Sequence, residues 1–149
     1  PDTSDVALNS FYAGLAEKYG WTEDAENSGP DDLLMTSIEG DMLESYYPGL
    51  SELNTKQLVA KMPMMSSIVN EVVFVQCETE EDADRAEEIL QARISYQVGD
   101  ENNPGGAWYP APTELWRSES RIVSNGNFVM LVAHTGADSV VEKFNALFA

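Results

Sequence analysis

The chain has 149 residues, with 26 Asp and Glu against 8 Lys and Arg and a formal net charge of −18. Nucleic-acid binding rests on neutralising phosphates, so this balance excludes a nucleic-acid partner and favours solubility and basic partners. The 43% hydrophobic content suffices for one buried core and predicts a single domain over residues 1–149. The single cysteine excludes an internal disulfide, and no apolar run approaches the ~20 residues of a membrane helix.

Residues 1–4 are expected to be a frayed start. From Asp5 onward, Leu8, Phe11, Tyr12, Leu15, Ala16 and Tyr19 recur at helical spacing and predict an amphipathic helix stopped by Gly20. Residues 21–32 are acidic, contain a Gly-Pro break and read as a loop. Asp24, Glu26 and Ser28 superficially resemble a calcium loop, but the twelfth position is Met35, which lacks the bidentate carboxylate. A short strand over 33–38 and a short helix over 39–47 follow, the helix turning Met42, Leu43 and Tyr46 inward before Pro48-Gly49 ends it.

The centre of the chain is residues 57–77. Alternation places Leu58, Ala60 and Met62 on one face of a half-exposed strand over 57–64, and Pro63 predicts an edge position or a bulge near its end. Residues 65–70 form the connection. In 71–77, Val73, Val75 and Cys77 oppose Val72, Phe74 and Gln76, the pattern of a central strand covered on at least one side. Thr79, with Asp82 three residues on, opens an acidic helix that buries Ala83, Ala86, Leu90 and Ile94 and ends near Gly99.

Residues 99–112 are rich in Gly and Pro and predict a long loop, with one helical turn over 113–116. Asn125-Gly126 between two β-prone runs predicts a hairpin within 119–134, because a type I′ turn needs positive φ at both central positions. Thr135, with Asp138 three residues on, is expected to cap a last helix lined by Val140, Val141, Phe144, Leu147 and Phe148. The order is ββα-ββα after an N-terminal helix. It predicts an α+β fold: an antiparallel sheet built from two β-hairpins, with helices packed mainly on one face.

The residues offer no catalytic set and no cofactor or metal motif. There is no G-x-S-x-G, no P-loop and no dinucleotide fingerprint, and one histidine with one cysteine cannot build a common zinc site. Cys77 and His134 each end a predicted strand, but nothing activates the thiol or stabilises an oxyanion, so the pair reads as structural. The candidate contact surface is Trp108, Tyr109 and Trp116 on the long loop, together with Met64 and Met65 at the strand end. Aromatic rings are favoured at binding hot spots and methionines adapt to apolar partners. A lid over the sheet edge, and core filling, are the competing readings. The partner would be a protein or a carbohydrate.

The segment KMPMMSSIVNEVVFVQC, the acidic helix ending in ILQAR, the hairpin RIVSNGNFVMLVA and the closing DSVVEKFNALF together resemble the DUF4358 family. The resemblance covers 33–148, leaving 5–32 as an N-terminal helix and acidic loop. It implies an exported protein of the Gram-positive cell envelope, a lipoprotein or a secreted protein. Its only attachment to the membrane would be a lipid on a cysteine upstream of Pro1. The family carries over no catalytic residues. A non-enzymatic binding or accessory module is therefore the first reading. A hydrolase acting on an envelope or dietary polymer through paired carboxylates is the alternative.

Overall fold

Strands Glu71–Cys77 and Phe128–Ala133 are apolar on both faces, and the other elements are arranged to cover them. The computed structural model describes residues 6–65, 68–100, 102, 105–107 and 110–148. Among them the strands are β1 (Trp21–Thr22), β2 (Leu33–Ser37), β3 (Thr55–Pro63), β4 (Glu71–Cys77), β5 (Ser120–Asn125) and β6 (Phe128–Ala133). They form one sheet in the order β1-β2-β3-β4-β6-β5. The helices are α1 (Leu8–Tyr19), α2 (Gly40–Tyr46), α3 (Glu80–Val98), α4 (Pro110–Ser118) and α5 (Ala137–Ala146), with a 3-10 turn at Leu50–Glu52.

The expected α+β class is what the chain adopts, but the sheet and its cover differ from expectation. β3 pairs antiparallel with β4, β4 with β6, and β5 with β6, whereas β1 runs parallel to β2 through Trp21↔Leu33 and Thr22↔Leu34. The sheet is therefore mixed rather than antiparallel throughout. Trp21, expected in a loop, draws its segment onto the sheet edge by stacking on Tyr19 at 5.2 Å and Tyr12 at 5.9 Å. Lys61 Nζ then ties the following loop down through Glu23 at 3.0 Å.

The helices cover both faces rather than mainly one. Val72, Phe74, Met130 and Val132 pack under α1 and α5, while Val73, Val75, Leu131 and Ala133 pack under α2, α3 and α4. A central strand with apolar side chains on both faces needs cover on both. β3 is interior, between β2 and β4, rather than an edge. Pro63 is tolerated there because it is the last residue of β3, beyond the final β4 pairing at Lys61↔Val72. The helix expected as one turn runs from Pro110 to Ser118, since prolines in a first turn lack only amides that have no intrahelical partner. Gly136, not Thr135, is the N-cap of α5, with no side-chain cap bond. Met42 faces outward at 40% exposure.

Candidate functional site

Helix α3 buries one stripe at helical spacing, Ala83, Ala86, Leu90 and Arg93. The last position places a guanidinium where an apolar residue is the rule. Glu71, the first residue of β4, meets it at the same end of the sheet: Arg93 Nε donates to Glu71 Oε2 at 3.0 Å and Nη2 to Oε1 at 3.0 Å. Tyr47 Oη also donates to Glu71 Oε2. All three side chains are buried. Burial raises the Tyr47 hydroxyl well above its ordinary pKa, and the adjacent Glu71 charge raises it further. Burial works against the Arg93 charge, but the Glu71 hydrogen bonds and charge outweigh it and raise the pKa. The guanidinium lies over aromatic rings, with Tyr46 at 4.5 Å and Trp116 at 5.6 Å.

Above this network lies a cleft of about 340 Å³. Its floor is Asn70, Glu71, Arg93 and Trp116, and its rim carries Met65, Ile68 and Tyr96. A second hollow of about 380 Å³ shares Ile68, Val69, Asn70 and Pro112 with the first and continues to Leu115 and His134. Asn70, 1% exposed, therefore stands in the wall between the two. Its Nδ2 donates to Met35 Sδ at 3.3 Å, and its Oδ1 has no hydrogen-bond partner. A broader depression of about 800 Å³ near the end of α3 is lined only by residues that are at least partly exposed, and it has no such floor.

The candidate contact residues separate. Met65 is on the cleft rim at 61% exposure, and Met64 stands next to it at 59%. Trp116 is buried at 2% and enters the cleft from beneath as the ring under Arg93, so it is a wall residue and not part of an open surface. Trp108 and Tyr109 lie outside the described residues. Glu71, Arg93, Tyr47 and Asn70 were not among the sequence candidates. The available signal was the position of Arg93 on the Ala83, Ala86, Leu90 stripe.

Cys77 and His134 lie at opposite ends of the β4–β6 pair. Cys77 N bonds to Asn127 O beside the turn, while Glu71 pairs with Ala133 next to His134. No dyad can form. Burial raises the Cys77 thiol to a pKa of about 11, with a further push from Asp82, so the nucleophilic thiolate is scarce. Asp24 accepts from Glu26 N, Asn27 N and Asn27 Nδ2, an Asx turn, and Met35 is buried in the core. The acidic loop thus has a structural account. Among the described residues no group of three or more His, Cys, Asp or Glu is placed to hold a metal.

The floor can fix the position of a ligand. Glu71 is the one carboxylate in the cleft wall among the described residues, and both its oxygens hold Arg93 or Tyr47. No curated protein and no solved structure matches the chain. The family of domains of unknown function DUF4358 matches residues 28–134, spanning β2 to β6 and every residue of the cleft floor. The chain belongs to the DUF4358 family.

Proposed function

We propose that the protein is a non-enzymatic binding or accessory module of the Gram-positive cell envelope, exported and either lipid-anchored on the outer side of the membrane or secreted, and that the cleft over Glu71 and Arg93 is its contact site. The observation that carries the binding reading is the state of Glu71. Its two oxygens accept from Arg93 Nε, Arg93 Nη2 and Tyr47 Oη. A carboxylate so committed acts as a general base only by breaking a buried ion pair. The rim meanwhile exposes Met65, Ile68 and Tyr96, side chains suited to contact. Export and anchoring rest on the family resemblance. Attachment by a lipid is the form of anchoring that the resemblance implies. Among the described residues no helix is long and apolar enough to cross a membrane.

The hydrolase alternative requires a second carboxylate facing the first across the substrate. Among the described residues the cleft wall holds Glu71 alone. Two measurements test the proposal. Protease treatment of intact cells should digest the protein, and fractionation should place it with membranes or medium. Recovery of an undigested cytosolic protein overturns the localisation. Incubation of the purified protein with cell-wall and plant polysaccharides should release no reducing ends. Release above that of a heat-inactivated control overturns the binding reading in favour of hydrolysis.

A further inference from the structure

Asn70 and Arg93 leave complementary groups unused in one cleft. Asn70 is buried, its Nδ2 is directed at a thioether, which is a weak acceptor, and its Oδ1 has no partner. Buried carbonyl oxygens without partners are rare and destabilising, and each calls for an occupant or a function. Arg93 uses Nε and Nη2 on Glu71, while Nη1 takes no hydrogen bond among the described residues. The cleft floor therefore holds an unpaired acceptor, covered in this structure, and a donor, and a ligand engages the acceptor by a turn of the Asn70 amide. Glu71 cancels the Arg93 charge, so the matching ligand group is neutral. A carboxylate or phosphate would meet no net positive charge here.

A peptide amide supplies an N–H and a C=O on a neutral group, with an apolar side chain next to it. A sugar supplies hydroxyls but is normally held on an open aromatic face. Arg93 lies over Tyr46 at 4.5 Å and Trp116 at 5.6 Å, so the open ring at the cleft among the described residues is Tyr96 on the rim, and the cellohexaose titration below decides between sugar and peptide. The rim offers flexible Met65 and branched Ile68, which adapt to an aliphatic or aromatic side chain. The two hollows that share Asn70 leave room for a chain to continue past the anchor. The molecule around this neutral floor has a net charge of −18, which draws a segment flanked by Lys or Arg.

Resting on the binding-module reading above, we infer that the cleft is a peptide-recognition site. It takes one apolar side chain of a basic polypeptide segment between Met65, Ile68 and Trp116, and hydrogen-bonds a neighbouring backbone amide through Asn70 Oδ1 and Arg93 Nη1.

The test is an amide-shift NMR titration of the full chain with acetyl-Lys-Gly-Leu-Gly-Lys-amide at millimolar concentration. Parallel titrations use the same peptide with Ser for Leu, the same peptide with Glu for both Lys, and cellohexaose. Saturable shifts at Asn70, Glu71 and Gly106 are expected with the Leu peptide. Binding should be weaker with Glu flanks and lost with Ser. Asn70→Leu, which removes the acceptor at similar volume, should weaken binding by roughly tenfold. Met65→Lys, on the exposed rim where folding is not at stake, should weaken it comparably.

Peptide binding that ignores both variants overturns the site. Saturable binding of cellohexaose at these residues, without peptide binding, overturns the peptide class. Absence of any saturable shift on a folded spectrum, with Asn70 Oδ1 satisfied by an ordered water alone, overturns the inference entirely. None of these results alters the localisation and hydrolysis measurements, which judge the wider proposal separately.

Discussion

Arg93 and Glu71 set the chemistry of the cleft, and their energetics follow from burial. Their side chains are 8% and 4% exposed, and two hydrogen bonds of 3.0 Å join them. Glu71→Gln or Arg93→Met should each destabilise the fold by about 3–5 kcal/mol, because each leaves an uncompensated buried charge. The double variant Glu71→Gln/Arg93→Met should cost clearly less than the sum of the two single losses. Equilibrium denaturation of the four proteins measures this coupling, and additive losses would show that the pair does not act as a unit.

His134, directly after β6, presents a separate case. It packs edge-on against Tyr19 at 4.9 Å and Trp21 at 5.4 Å, and burial lowers its pKa below the ordinary 6.5. Above that value the folded and unfolded chains both carry a neutral imidazole, and the residue adds no pH dependence. As the pH falls through about 6.5 the unfolded chain takes up a proton first, so stability is lost until the lower folded pKa is reached. Thermal melts of the wild type and His134→Gln at stepped pH should show that the variant lacks this increment. Parallel pH profiles would refute it.

Local rules fixed the helix starts unevenly. Thr79 Oγ1 accepts from Asp82 N at 3.1 Å, as its spacing from the acidic run predicts. Thr135 has the same spacing to Asp138, yet α5 begins after Gly136 and Asp138 pairs with Arg121 at 3.1 Å. Thr79→Ala should therefore cost about 1 kcal/mol, while Thr135→Ala should fall within ~0.5 kcal/mol of wild type. Equal losses in urea melts would mean that both threonines cap. The start of α1 shows a third arrangement. Ala7 gives no side-chain cap, and Gln57 of β3 supplies one instead, its Oε1 accepting from Leu8 N at 2.8 Å. The side chain comes from 49 residues away, so no local pattern announces it.

For the molecule as a whole, the sheet divides the interior into two apolar layers, and β4 and β6 contribute to both. Val75 and Leu131 are each fully buried in the layer under α3. Val75→Ala or Leu131→Ala should cost about 2–4 kcal/mol through lost burial and the cavity left behind. An unchanged denaturation midpoint for either would remove it from the core. The same two-layer arrangement positions the cleft. Glu71 comes from the start of β4, Arg93 from α3, Trp116 from α4 and Tyr46 from α2, and the sheet brings them to one end.

Period-two alternation in 71–77 and 128–133 and helical stripes from Leu8, Ala83 and Val140 are local patterns, and each specifies its element because side-chain direction follows backbone period. The Asn-Gly signal announces the β5–β6 hairpin but not its register: Asn125 pairs with Phe128, so the two central turn residues are Gly126 and Asn127 rather than Asn125 and Gly126. The α+β class and the central strands follow from such patterns. The parallel β1–β2 contact, the cover on both faces and the interior place of β3 do not, because each depends on which surfaces meet after the chain has collapsed. The cleft belongs to the same class. Arg93 looks like any surface charge of an acidic helix until Glu71, 22 residues earlier, is placed against it. Neither residue carries a motif. Their pairing is a property of the packed sheet and helix, and so is the unpaired oxygen of Asn70 beside them.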